Sequence, residues 1–313
     1  MTDAIAAAPA SDVLKLFDDL RYRRIPTNFF DVISNRNALL DRLFYNTPNL
    51  SEAELALLLS QRNEEGSILV VSPSDRTQKD AVRKFEDFAS FREAPGDLLT
   101  RFAIAGVGSS DVGAAAFARS VANRYDTPVG AIVAGYGIAD LMTEALGGWF
   151  VLGAANRMLD TYQRFFSLSG FTASTDETLT TTAPPRLGGA AYQSDTQTLL
   201  TLLQEPERTV VSVAGHSKGC LSIAYAMNAL ALGDDGDALE KARQARITTA
   251  GAVTAFPTGF NNCGQYIGDI DWFGGMNSRP KVPHTKVDKA WHHLNTALPY
   301  ALDFDAVLAG EPD

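Results

Sequence analysis

Residues 208–230 read RTVVSVAGHSKGCLSIAYAMNAL, centred on the G-x-S-x-G pentapeptide Gly215-His216-Ser217-Lys218-Gly219. Ahead of it, Thr209 to Ala214 is apolar and β-branched, the composition of a buried central strand. Behind it, Cys220 to Met227 is small and apolar and reads as a helix. Strand, tight turn and helix is the context that holds a serine in a strained turn with its hydroxyl exposed. Glycine is expected at 215 and 219 because a side chain there would strike the neighbouring strand or helix. The helix N-terminus, beginning with the backbone N–H of Lys218, faces any negative charge that develops at Ser217. The pentapeptide alone also fits a glycine turn in which Ser217 caps a helix. Its flanking segments favour the catalytic reading.

Working outward, the chain alternates strands and helices. Ser67 to Val71 reads as a first strand, Lys79 to Phe91 as a charged helix, and Phe102 to Gly108 as a strand ending in glycines. Ser109-Ser110-Asp111 is placed to cap a helix over Val112 to Arg124. Val129 to Gly135 repeats the strand signal, Ser194 to Gln204 reads as a helix, and Arg246 to Val253 as the strand after the elbow. Such alternation predicts an α/β fold with a mostly parallel sheet flanked by helices. Ligands of such sheets gather at the carboxyl ends of the strands. Gly108-Ser109, Gly135-Tyr136-Gly137 and Ser217 all fall at strand ends.

Before the first strand lies a helical preface, residues 1–65, expected to pack on the main domain, 66–313. Its helical segments are Asp12 to Arg24, Asn35 to Phe44, and a capping box, Ser51 to Glu54, ahead of Leu55 to Leu59. The apolar run Ala145 to Ala155 contains Trp149 and Phe150, expected either to line an apolar pocket or to sit in a buried helix. Residues 167–185 are rich in Ser and Thr and end in two prolines, a surface loop or a lid.

The net charge of −10 argues against a nucleic-acid partner and against binding to anionic lipid by charge alone. Two cysteines, Cys220 and Cys263, make no disulfide framework. No apolar run is long enough to span a bilayer, and the first residues lack a signal-peptide pattern, so a cytoplasmic location is expected. No metal or cofactor is implied: the acidic turn Gly233 to Asp237 lacks the downstream Glu of a calcium loop. Gly106-Val107-Gly108 is not a dinucleotide fingerprint, because the next glycine is Gly113 and no acidic residue ends a second strand at the required distance.

An activated serine needs a base, and the base an orienting acid. Of four histidines, His216 lies inside the elbow and is badly placed to reach Ser217. Asp269 or Asp271 followed by His292 or His293 satisfies the order serine, acid, histidine. His284, in a basic turn, ranks behind them. Tyr266 to Gly274 reads as a short strand ending in two acids, Asp269 and Asp271, which point to the same side of an extended segment. Asp271 is preferred to Asp269 because Trp272-Phe273-Gly274 directly after it can shield the carboxylate. Adjacent His292 and His293 point opposite ways in an extended loop, so only one should act.

With these residues in place the chain resembles the α/β-hydrolase superfamily, closest in layout to the fungal-type (class 3) lipases and their bacterial relatives. Those lipases carry G-H-S-L-G at the elbow, with Leu where this chain has Lys218. Their acid lies in an Asp-Ile-Val-Pro-like segment, to which Asp269-Ile270-Asp271-Trp272-Phe273-Gly274 is similar. Their oxyanion hole uses a Ser or Thr after a strand-ending Gly, which implies Ser109 beside Lys218. Their His-x-Gly-Phe-like strand corresponds to Val133-Ala134-Gly135-Tyr136, without the His. The resemblance covers about residues 100–300. It implies a serine hydrolase of the carboxylesterase or lipase type, acting on a small or lipid-like ester or thioester. Ser217 is then the nucleophile, and His216, Tyr136, Trp149 and Phe150 are expected near the substrate. Two other readings compete: a non-catalytic binding module on the same fold, and a Rossmann-like nucleotide-binding protein.

Overall fold

A computed structural model describes residues 41–60, 66–74, 81–85, 88–94, 99–106, 109–134, 194–279 and 281–311. The expected helix at 12–24, Tyr136, Trp149, Phe150 and the loop 167–185 lie outside these residues. Among the described residues the strands are β1 (Ile68–Val71), β2 (Val82–Lys84), β3 (Arg101–Ile104), β4 (Val129–Ile132), β5 (Ser212–His216), β6 (Arg246–Ala250), β7 (Cys263–Gly268) and β8 (Thr285–Val287). They form one eight-stranded sheet, ordered β2-β1-β4-β3-β5-β6-β7-β8. From β4 to β8 every pairing is parallel, while β1 runs antiparallel to both β2 and β4. The protein is therefore α/β with a mostly parallel sheet.

Among the described residues the α-helices are α1 (Glu52–Ser60), α2 (Phe88–Glu93), α3 (Asp111–Tyr125), α4 (Ser194–Gln204), α5 (Lys218–Leu232), α6 (Gly236–Gln244), α7 (Trp272–Met276) and α8 (Phe304–Gly310). They cover both faces of the sheet, which is why the central strands β1, β4 and β5 are buried along their whole length. In β1, Leu69 and Val71 join one core with Ala103, Ala131, Phe117 and Phe304. Ile68 and Val70 join the other with Phe102, Ile104, Leu202 and Met227. Alternate side chains of a strand point to opposite faces, so one strand supplies both cores. Residues 41–60 belong to the same compact unit as the sheet, and Tyr45, Leu50 and Leu58 sit in the first core. The capping box forms: the Ser51 N–H donates to Glu54 Oε2 at 2.7 Å, and the Glu54 N–H to Ser51 Oγ at 3.3 Å. Ser110 caps α3, its hydroxyl oxygen accepting from the Val112 N–H at 3.1 Å.

Three local expectations change. The charged stretch 79–91 is not one helix, because β2 occupies 82–84 and α2 starts only at Phe88. Val82 is buried, Arg83 exposed, and Lys84 is paired with the buried Asp111 at 2.7 Å, a charge pattern suited to an edge strand. The elbow strand begins at Ser212, not Thr209; just before it, the Val211 N–H donates to the Thr100 carbonyl at 2.7 Å. The acidic segment 266–274 is not extended throughout: β7 stops at Gly268 and α7 begins at Trp272 with Asp271 as its cap. Among the described residues no helix is long and apolar enough to cross a membrane.

Candidate active site

β5 ends at His216 in the middle of the sheet, where Gly215 pairs with Ile104 of β3 and Thr249 of β6. Ser217 follows at φ 53 and ψ −115, a backbone conformation that costs a non-glycine residue about 1–3 kcal/mol. The turn is held from both sides. The Ser217 N–H donates to the Ala250 carbonyl at 2.9 Å, and the Ser217 carbonyl accepts from the Cys220 N–H at 3.1 Å. Gly219 is required sterically, because its neighbour is backbone, whereas a side chain at 215 would be crowded by the end of Ile223. A Cβ at 219 would lie 2.0 Å from the Ile104 carbonyl oxygen, and one at 215 would lie 2.6 Å from Ile223 Cδ1.

Because β3, β5, β6, β7 and β8 are parallel, the segments that leave them emerge at one edge of the sheet. Asp271 follows β7 and His292 follows β8, and both reach the elbow. His292 Nε2 lies 2.9 Å from Ser217 Oγ, and His292 Nδ1 lies 2.8 Å from Asp271 Oδ2. The other carboxylate oxygen of Asp271 accepts from the Gly274 N–H at 2.6 Å. The Asp271 side chain is fully buried and that of His292 nearly so. Phe273 stands edge-on to the His292 ring at 4.7 Å and Phe44 at 6.0 Å. A carboxylate only accepts, so Nδ1 carries the imidazole proton and Nε2 is left to accept from the Ser217 hydroxyl. Such a series can draw the proton from a serine as its oxygen attacks an electrophile.

The other site residues expected from the sequence make different contacts. His293 turns away, its Nε2–H donating to the Pro299 carbonyl at 2.9 Å, and burial holds it below its ordinary pKa. Asp269 is exposed; the turn after Gly268 separates it from Asp271, which the two would not be in an extended strand. His284 Nδ1 bonds the Val282 carbonyl at 2.7 Å. Lys218 opens α5 directly after Ser217, so its backbone amide stands at the helix N-terminus. Its ammonium is buried against Asp195 Oδ2 at 3.1 Å and donates to the Ala134 carbonyl at 2.8 Å. Ser109 is buried, and its hydroxyl and its N–H both donate to the Gly106 carbonyl, at 2.8 and 3.3 Å. In this arrangement neither donor is aimed at the elbow. His216 is not a surface for substrate: it is 1 % exposed and enclosed by Tyr45, Phe117 and His292. The sequence placed it next to the serine, but the inward face of β5 buries it. Tyr45 was missed altogether, having no motif around it. Among the described residues no group of His, Cys, Asp and Glu side chains is arranged to hold a metal ion.

Gly113, the glycine that broke the dinucleotide pattern, has a different use. A Cβ there would lie 2.1 Å from Asp41 Oδ1. Asp41 is buried and accepts from the Ser110 N–H, 3.2 Å from each oxygen, and from the Ser110 hydroxyl. Burial pushes its carboxyl up to about 7. Between about 3.9, the unfolded value, and about 7, the folded chain therefore holds a proton here that the unfolded chain releases. Stability from this group falls as pH rises through that window and is level above it. Relative to Asp41→Asn, the unsubstituted chain should lose up to about 1.4 kcal/mol per pH unit from about pH 4 to 7. Urea titrations of both chains measure this, and a gap that does not change with pH contradicts it.

Searches against protein-family models, curated proteins and solved structures find no match for this chain.

Proposed function

We propose that this protein is a serine hydrolase of α/β-hydrolase type, a carboxylesterase or lipase-like enzyme that cleaves an ester or thioester through an acyl-enzyme on Ser217. One observation carries the reading: Ser217, His292 and Asp271 are hydrogen-bonded in series at a strained elbow on the carboxyl edge of the sheet. As the Ser217 oxygen attacks the carbonyl carbon, its proton passes to His292 Nε2. Asp271 stabilises the imidazolium that forms. His292 then gives the proton to the departing alcohol or thiol. Water, deprotonated by the same nitrogen, attacks the acyl-enzyme and releases the acid and the free serine. The Lys218 backbone N–H at the start of α5 is the proposed donor to the oxyanion. The substrate is a small or lipid-like ester, and the chemistry calls for no metal or cofactor.

The test is hydrolysis of short-chain p-nitrophenyl esters with rapid mixing. A burst of nitrophenol close to one per chain, followed by steady turnover, is expected if an acyl-enzyme accumulates. Release no faster than in buffer alone contradicts the proposal.

A further inference from the structure

Tyr45, His216 and the backbone of His292 form a second hydrogen-bonded chain beside the first. The Gly106 N–H donates to Tyr45 Oη at 2.6 Å. Tyr45 Oη lies 2.9 Å from His216 Nδ1, and His216 Nε2 lies 2.9 Å from the His292 carbonyl oxygen. The two ends fix the direction of every bond. An amide N–H only donates, so Tyr45 Oη accepts there and gives its own proton to His216 Nδ1. A carbonyl only accepts, so His216 must carry its proton on Nε2. Burial holds His216 well below its ordinary pKa, which agrees with a neutral ring.

The chain is enclosed and closely fitted. Tyr45 is 3 % exposed and His216 1 %. A Cβ at Gly106 would lie 3.0 Å from Ser217 Cβ and 3.1 Å from Tyr45 Oη. Gly251, at φ 77, leaves room for the rings: a Cβ there would lie 3.0 Å from His292 Cε1 and 3.2 Å from His216 Nε2. The segment around Tyr45 also holds the His292 loop at other points. The Leu294 N–H donates to the Phe44 carbonyl at 2.7 Å, Asn295 Nδ2 to the Arg42 carbonyl at 2.5 Å, and the Thr296 N–H to Asn46 Oδ1 at 2.8 Å.

We infer that Tyr45 and His216 are positioning residues for the proposed hydrolase: they fix the backbone of His292 so that its imidazole meets Ser217 and Asp271 together. The inference rests on the hydrolase reading. It gives a use to the preface before the first strand and to the histidine of the pentapeptide. The hydroxyl of Ser217 bonds His292, while Tyr45 and His216 bond each other, the Gly106 N–H and the His292 carbonyl. Their effect passes through the carbonyl of His292, and displacing a reacting group by about 1 Å costs about 10²-fold in rate.

Two replacements of His216 divide its two bonds. In Gln the amide nitrogen falls near the place of imidazole Nε2 and can still donate to His292. In Asn the amide falls near Nδ1, keeping Tyr45 and losing His292. His216→Gln is expected to keep kcat for a p-nitrophenyl ester within about fivefold of the unsubstituted chain. His216→Asn should lose about 10- to 100-fold in kcat, with KM within about twofold. Tyr45→Phe leaves the Nε2–H of His216 donating to the His292 carbonyl but removes the bond that orients the ring from Nδ1, so kcat should fall by less than in His216→Asn, about threefold to 10-fold. Far-UV circular dichroism confirms that the chains compared are folded, and the rate of fluorophosphonate labelling at Ser217 should follow kcat. Asn and Gln variants of equal kcat, or a folded Tyr45→Phe chain with full kcat, overturn the positioning role and leave the hydrolase reading standing. An unsubstituted chain that neither turns over ester nor takes the label overturns that reading, and the inference with it.

Discussion

Replacing Ser217 by alanine is expected to abolish ester turnover, a loss of about 10³-fold or more, while leaving the fold in place. The Ser217 hydroxyl is hydrogen-bonded to His292 Nε2. The bonds that hold the turn use the Ser217 backbone N–H and carbonyl, which alanine keeps. The strain at φ 53 is borne by any residue with a Cβ, so alanine neither adds to it nor relieves it. Steady-state kinetics on a short-chain ester, with a thermal melt of both chains, separates chemistry from stability. Turnover in the alanine chain at the unsubstituted rate would remove Ser217 from the reaction.

A loss of comparable size is expected for the base and its acid. His292→Gln removes the acceptor that faces Ser217 Oγ at 2.9 Å, and the other histidines are bonded elsewhere: His216 to Tyr45 and the His292 carbonyl, His293 to the Pro299 carbonyl and His284 to the Val282 carbonyl. Asp271→Asn should cost about 10⁴-fold for a different reason. The Gly274 N–H donates to one oxygen of Asp271 and would keep the amide oxygen of an asparagine on that side. The NH₂ group would then face His292 Nδ1, force its proton to Nε2, and leave nothing to accept from Ser217. His293→Gln and Asp269→Asn serve as the comparison, both expected within about threefold of the unsubstituted chain, since neither side chain reaches the series. The measurement is kcat/KM for the four variants. A large loss for Asp269→Asn with Asp271→Asn unaffected would reverse the assignment of the acid.

The α/β class, the strand-turn-helix around Ser217 and the glycines at 215 and 219 were legible because each depends on neighbours within a few residues. A β-branched run, a glycine on each side of the serine and a run of small residues specify that turn locally. The helix caps at Ser51 and Ser110 were legible for the same reason. β2 was not, because Val82-Arg83-Lys84 forms a strand only by pairing with β1, and Lys84 is held by Asp111. The choice between His292 and His293 depended on how the loop after β8 is fixed, and residues 42–46, far away in the chain, fix it. Tyr45 stayed hidden for this reason. His216 was misread as facing substrate because adjacency to Ser217 says nothing about which side of β5 it occupies. The turn that caps α7 decides between Asp269 and Asp271, and the apolar residues after Asp271 were the only local sign of it.

The most direct test of the proposed function is covalent labelling with a fluorophosphonate, read by intact mass and by peptide mapping. The proposed enzyme is expected to take up one equivalent on Ser217. His292→Gln should slow that uptake by about 10²-fold or more, and Ser217→Ala should abolish it. A folded, unsubstituted chain that stays unlabelled, or that carries the label on another residue, would contradict the account.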